Sequence, residues 1–176
     1  TTPVVAVWDA EMILPYKQID ESLDMIMNGK AAMVIPYDQT VLFLSEEQTV
    51  ASLRADSILE HLQLHSASYR RWLGRPSCGG LFFVNREVYL KCGGENEHFY
   101  GWGPEDAERV RRMEILGYPV GVNTEGPLYH LWHPRGDNSR FFNRQLASNS
   151  RLELIRICNM DTKELTDDVA SWRNRK

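Results

Sequence analysis

The sequence predicts an α/β sandwich with a largely parallel central sheet. Three observations predict it. Short apolar runs at 4–8, 31–36 and 80–84 have the length of strands buried on both faces. Between them lie amphipathic stretches at helical spacing. Strands that alternate with helices in this way imply a layered α/β domain, and 176 residues suffice for one domain with its own core.

Taken in order, Val4 to Trp8 reads as a fully buried strand ending at the Asp9-Ala10-Glu11 turn. Pro15 interrupts the chain, and Gln18 to Asn28 carries Ile19, Leu23, Ile26 and Met27 at helical spacing before Gly29 stops it. Ala31 to Pro36 and Val41 to Leu44 read as strands. Ser45 to Leu64 reads as one helix, with Ser45 as its N-cap and Leu53, Ile58, Leu59 and Leu62 as its apolar face. Gly80 to Val84 is a strand and Arg86 to Lys91 a short helix leading to Gly93-Gly94. Glu105 to Leu116 is a helix closed by Gly117. Pro119 to Val122 and Leu128 to Leu131 are strands, Ser139 to Arg156 a long helix, and 161–176 a polar tail. A buried strand opening the chain predicts that residues 1–160 are the C-terminal portion of one domain, with an upstream half before Thr1.

Composition narrows the function classes. The chain is 43% hydrophobic and 25% charged, which fits neither disorder nor a fibrous class. A net charge of -4 argues against a nucleic-acid partner. The basic clusters Arg70-Arg71 to Arg75, Arg109 to Arg112 and Arg173 to Lys176 read as solvated faces or anion contacts. Arginines 140, 144, 151 and 156 on the last predicted helix read as a solvated face in preference to a diphosphate contact. Cys78, Cys92 and Cys158 have no metal-ribbon spacing, which favours a reducing, cytoplasmic setting; Cys78 and Cys92 read as small buried apolar residues. No apolar stretch reaches the ~20 residues needed to span a bilayer.

Three constellations carry chemistry. Asp9 and Glu11 follow a strand and can offer oxygens to one hard cation. His130 and His133, three apart at the end of a predicted strand, can converge on a metal if the chain turns there. Imidazole with carboxylate suits Mn, Fe or Zn better than Mg. The loop Phe99-Tyr100-Gly101-Trp102-Gly103-Pro104-Glu105-Asp106 sets flat rings beside two acids, which suits sugars, whose faces are apolar and whose rims are hydroxyls. Glu105 and Asp106 also open a predicted helix, where the macrodipole favours acids for structural reasons alone.

The segment from Cys78 to Asp106, CGGLFFVNREVYLKCGGENEHFYGWGPED, resembles the β-1,4-galactosyltransferase family and its relatives among chondroitin-type polymerases and polypeptide N-acetylgalactosaminyltransferases. The pattern is a Gly-Gly strand, a short helix, Gly-Gly, then a tryptophan-glycine loop running into Glu-Asp. The likeness is tight over this segment and loose over 4–145. Asp9-Ala10-Glu11 resembles the Asp-x-Asp motif of GT-A folds. His133 resembles the late histidine of the manganese site, where a methionine stands at the position matching His130.

The resemblance implies a GT-A (nucleotide-diphospho-sugar transferase) sandwich that lacks the N-terminal nucleotide-binding strands. It implies a metal-dependent glycosyltransferase moving a Gal, GalNAc or GlcNAc-type sugar from a UDP-sugar to a glycan or other hydroxyl acceptor. Asp9, Glu11, His133 and His130 would hold Mn2+ or another divalent cation. Asp106 would be the general base, with inversion at C1, and Glu105 would bind sugar hydroxyls. Trp102 and Tyr100 would meet sugar, with Gly79, Gly80 and Gly103 lining the substrate pocket by exposed backbone. Two departures stand out: Glu11 is one methylene longer than the motif Asp, and Pro104 replaces a Gly and stiffens the loop. Read without the resemblance, the same acids and histidines would also suit a metal-dependent phosphoesterase, and the aromatic loop a carbohydrate-binding or inactive homologue.

Overall fold

The structure, a computed structural model, describes residues 2–72, 74–100, 103–136 and 144–172. Its elements in chain order are β1 (Val4–Trp8), β2 (Met12–Ile13), α1 (Tyr16–Met27), β3 (Met33–Ile35), β4 (Val41–Phe43), α2 (Glu46–Arg54), α3 (Ile58–Leu64), β5 (Arg70–Arg71), β6 (Leu81–Asn85), α4 (Arg86–Lys91), α5 (Glu105–Ile115), β7 (Val120–Val122), β8 (Leu128–His130), α6 (Arg144–Cys158) and α7 (Thr162–Trp172).

The strands form two mixed sheets, ordered β1-β6-β3-β7 and β2-β8-β4-β5. The expected largely parallel sheet is therefore corrected, and the reason is visible in β6. Strands β1, β3 and β7 share one direction. β6 inserts between β1 and β3 and runs against both. In the second sheet β4 and β8 are parallel, while β5 and β2 pair antiparallel at its ends.

The core follows from the two-residue alternation of β6. Leu81 and Phe83 join Ile26 of α1 and Val34 of β3 in one cluster. Phe82 and Val84 join Met33 and Met113 in another, with Val88 and Tyr89 of α4 packed against it. The first sheet is thus covered on both faces. β1 is corrected from a buried central strand to the edge of its sheet, with Val7 and Trp8 about two-fifths exposed.

Two helix readings are also corrected. Ser45 caps α2 by accepting from the Gln48 amide, but the expected helix over 45–64 breaks at Ala55, whose backbone is extended. Ser57 then caps α3 through the Glu60 amide. A side-chain hydroxyl that satisfies a helix start competes with continuing the previous helix. Residues 162–172 of the expected polar tail form helix α7. Its Leu165 and Val169 are buried with Ile157 of α6 because they lie four apart on one stripe. The long helix expected from Ser139 is described from Arg144, and 139–143 lie outside the described residues.

The chain crosses from the first sheet to the second after β1, after β3 and after β7. These crossings bring the Asp9–Glu11 turn, the Tyr37 segment and the end of β8 to one region.

Candidate metal centre and acidic pair

The Asp9 turn is locally determined. The Met12 amide donates to the Asp9 carbonyl at 3.0 Å, and the Asp9 amide donates to Gly80 O at 3.0 Å, anchoring the turn on the lead into β6. Beyond it β2 pairs with β8, placing Met12 opposite His130, and the Leu131 amide donates to Glu11 O at 2.9 Å. Pairing two strands that point in opposite directions sets the residue before β2 against the residues after β8.

Three ligand atoms, one each from Glu11, His130 and His133, consequently lie within 4.8 Å of one another. Glu11 Oε1 is 3.7 Å from His130 Nε2 and 3.4 Å from His133 Nε2. Each imidazole turns its other nitrogen to a backbone carbonyl: His130 Nδ1 lies 2.7 Å from Leu131 O and His133 Nδ1 3.1 Å from Pro134 O. A carbonyl can only accept, so Nδ1 carries a proton in both rings, and Nε2 is the nitrogen each ring turns toward Glu11. A carbonyl bonded to the far ring nitrogen in this way orients an imidazole for a metal at Nε2. His130 is buried and stacked on Phe43 at 3.9 Å, and burial lowers its pKa, which keeps it neutral. The donor set of two imidazoles and one carboxylate fits a divalent transition metal such as Mn2+. Asp9 stands outside this group of three. Partial burial raises its pKa, and the negative charges of Glu11 and Asp106 raise it further, so it lies electrostatically between the cluster and the acidic pair.

Glu105 and Asp106 open α5 as expected, but their surroundings differ. Asp106 Oδ1 accepts from Arg109 Nη1 at 2.7 Å. Its Oδ2 rests over Gly79, where a Cβ would overlap it. Burial raises the Asp106 pKa against the pull of Arg109. Glu105 has no such partner: its Oε2 is buried without a hydrogen bond among the described residues. Burial first, then the charge of Asp106, pushes its pKa up to about 7.

The two glycines expected to offer bare backbone are half-buried, and each meets a side chain where its Cβ would stand. Asp106 lies on Gly79, and Met12 packs against Gly80, whose φ of +86° excludes most side chains. Gly79 O instead accepts from the buried Tyr37 hydroxyl at 2.6 Å. Gly103 sits beside Glu105 Oε2 and Ser150. Tyr100 is 68% exposed, and Trp102 lies outside the described residues.

Sequence reasoning read Arg109 and Arg112 as part of a solvated or anion-binding face. Both are corrected: they are 4% and 1% exposed, each paired to acids. Glu95 and Tyr37 carried no recognisable signal. Arg156 likewise pairs with Glu153 and Asp168. Of the three cysteines, all free, Cys92 is buried as expected, Cys78 is half-buried and Cys158 is exposed. Among the described residues no helix is long and apolar enough to cross a membrane.

A family model described as the N-terminal domain of galactosyltransferase matches residues 60–134. Two curated relatives, β-1,4-galactosyltransferase 7 of Mus musculus and of Homo sapiens, are each 34% identical to this chain over 61 residues. That stretch is 32% of this chain and 19% of each relative, so the chain spans about a fifth of the length of the curated relatives it matches. The matched segment holds Gly79, Gly80, Glu105, Asp106, His130 and His133, while Asp9 and Glu11 precede it. Over residues 60–134 the chain is galactosyltransferase-like, as the Gly-Trp-Gly-Pro-Glu-Asp loop and the late histidines had implied.

Proposed function

We propose that this chain is the catalytic portion of a metal-dependent glycosyltransferase that moves a sugar of the Gal, GalNAc or GlcNAc type from a UDP-sugar to a hydroxyl acceptor. The observation that carries the reading is the convergence of Glu11, His130 and His133, tautomers fixed, beside an acidic pair on a galactosyltransferase-like segment.

Glu11, His130 and His133 would hold the cation, with Asp9, whose charge couples to Glu11 and His133, as a further candidate oxygen ligand. When bound there, a divalent cation neutralises the charge that builds on a departing diphosphate. Asp106 takes the proton of the acceptor hydroxyl as that oxygen forms its bond to C1 and the C1–phosphate bond breaks. Both electrons of the broken bond leave with the diphosphate. Attack from the face opposite the leaving group inverts C1. Glu105, protonated near neutrality, donates a hydrogen bond to a sugar oxygen while Asp106 accepts one. Split protonation between adjacent acids is a recurrent way to supply both roles from one residue type. Trp102, Tyr100 and Gly103 would belong to the sugar-facing loop.

Titrating Mn2+ into the chain by calorimetry, for wild type and His133→Ala, with and without UDP, tests this reading. We expect one site, affinity lost in His133→Ala by more than the roughly 10–100-fold typical of losing a group that only orients a ligand, and tighter UDP binding with metal than without. Absence of any Mn2+ site in the wild type overturns it.

A further inference from the structure

We propose that Arg109 is a positioning residue that clamps the Asp106 carboxylate in place, and that Glu95 is the counter-charge that meters Arg109's pull on it; the proposal rests on the reading of Asp106 as base. The guanidinium is committed on three sides. Its Nε and Nη2 donate to Glu95 Oε1 and Oε2 at 2.8 and 2.6 Å, and Nη1 donates to Asp106 Oδ1 at 2.7 Å. Its carbon lies 4.2 Å from the Phe82 ring centroid, and the side chain is only 5% exposed. A planar fork fixed by a bidentate carboxylate and an aromatic ring has no second orientation available.

The consequence for Asp106 is an asymmetric carboxylate. Oδ1 is held by Arg109. Oδ2 lies in the space that the missing side chain of Gly79 leaves, so only that oxygen is offered elsewhere. The side chain is one-third exposed, unlike the fully enclosed Glu108 two residues on. Glu95 is not a spectator. It accepts from Tyr89 as well as from Arg109, and although burial raises its pKa these donors bring it below the ordinary value, so it stays ionised. Two carboxylates thus share one guanidinium, and Asp106 receives one hydrogen bond from it where Glu95 receives two. The groups facing Asp106 are Glu105 and Arg109 on its own helix, Cys78 ahead of β6, Asp9 in the first turn, Tyr37 after β3 and Glu95 ahead of α5. Arg109 is the cation among them that bonds Asp106. Without it the base stands among Glu105, Asp9 and Glu95 and takes up a proton.

The test is a carbon-13 carboxyl titration of Asp106 in the full chain labelled at aspartate, assigned with Asp106→Asn. Arg109→Gln is expected to raise the Asp106 midpoint by about one pH unit or more, a tenfold change in proton affinity. Arg109→Lys restores at least half of that shift, and Glu95→Gln lowers the midpoint because Arg109 then serves Asp106 alone. A merely structural arginine would lower stability in Arg109→Gln and leave the midpoint within a few tenths. That result, or a rise in Glu95→Gln, overturns the proposal. Should Arg109→Gln fail to fold, Glu95→Gln and Arg109→Lys decide the matter by the same signs. A metered Asp106 in a chain that transfers no sugar from UDP-Gal, UDP-GalNAc or UDP-GlcNAc with Mn2+ would sink the transferase reading and leave the clamp standing.

Discussion

Helix α5 carries three arginine–acid arrangements within 11 residues, and they differ in how completely each acid is answered. Glu108 and Arg112 are both 1% exposed. Their 2.8 Å pair is closed further by the carbonyls of Cys92 and Gly94 and by Trp172 of α7. One turn earlier, Arg109 answers Asp106 with one bond, and Glu105 Oε2 has no hydrogen bond among the described residues. On the outer face Arg111 and Glu114 meet at 3.2 Å with about half of each side chain in water. A helix that can satisfy a buried acid completely leaves another with a partnerless oxygen. The contrast marks the first turn of α5 as the place where charge is held in reserve for something else.

The comparison breaks most sharply at Arg112. Arg112→Met leaves Glu108 buried, ionisable and unpaired, a change expected to cost about 3–5 kcal/mol. For a chain of this size that is a fall in Tm of roughly 10 °C, measured by calorimetry or urea unfolding. Adding Glu108→Leu should recover much of the loss, because an apolar pair of similar volume replaces an ion pair at little net cost.

Next comes the packing under Asp106. Gly79→Ala places a methyl against Asp106 Oδ2, and the carboxylate must leave Arg109 or β6 must shift. We expect a loss of about 1–3 kcal/mol, with Asp106 moved in a crystal structure of the variant. Unfolding at neutral stability would mean that Gly79 has slack the structure does not show.

Glu105 predicts a pH dependence whose sign can be worked out. Its folded pKa is raised to about 7 from 4.5, so between those values the folded state binds more protons than the unfolded one. Stability therefore falls as pH rises through this window, and the penalty is complete above pH 7. A shift of that size would be worth about 3 kcal/mol in a dry site, and partial exposure brings the expected effect to about 1 kcal/mol. His130, held below its ordinary value by burial, acts in the opposite direction at low pH. The useful quantity is accordingly the difference between Glu105→Gln and wild type. It should favour the variant at pH 8 and vanish near pH 4.5 in urea unfolding.

Much of this was legible in the sequence, and the misses share a cause. Strand β6 and helix α5 announce themselves through an apolar run and through acids followed by Gly117, all local signals. The acidic pair and the late histidines were likewise found from neighbouring residues. What failed was non-local. An apolar run such as Val4 to Trp8 does not say whether a strand has one neighbour or two. Nothing in β6 says that it will insert between β1 and β3. A buried arginine looks like an exposed one until its partner is known, and Arg109 finds Glu95 from 14 positions away. Helix α7 was missed for a lesser reason: the stripe of Leu165, Val169 and Trp172 has the right period, but its polar neighbours outnumber it.

The outer pair sharpens the comparison by how little it should do. Arg111→Ala removes a guanidinium whose partner Glu114 is already hydrated, so no desolvated charge is left behind. Its expected effect on urea unfolding is within about 0.5 kcal/mol, and the Asp106 midpoint should not move. Arg109 and Arg111 are two residues apart and carry the same charge. A long-range field of the helix would make both matter to Asp106, whereas a bonded clamp makes only Arg109 matter. Equal midpoint shifts from the two substitutions would therefore transfer the effect from the hydrogen bond to the net charge of α5.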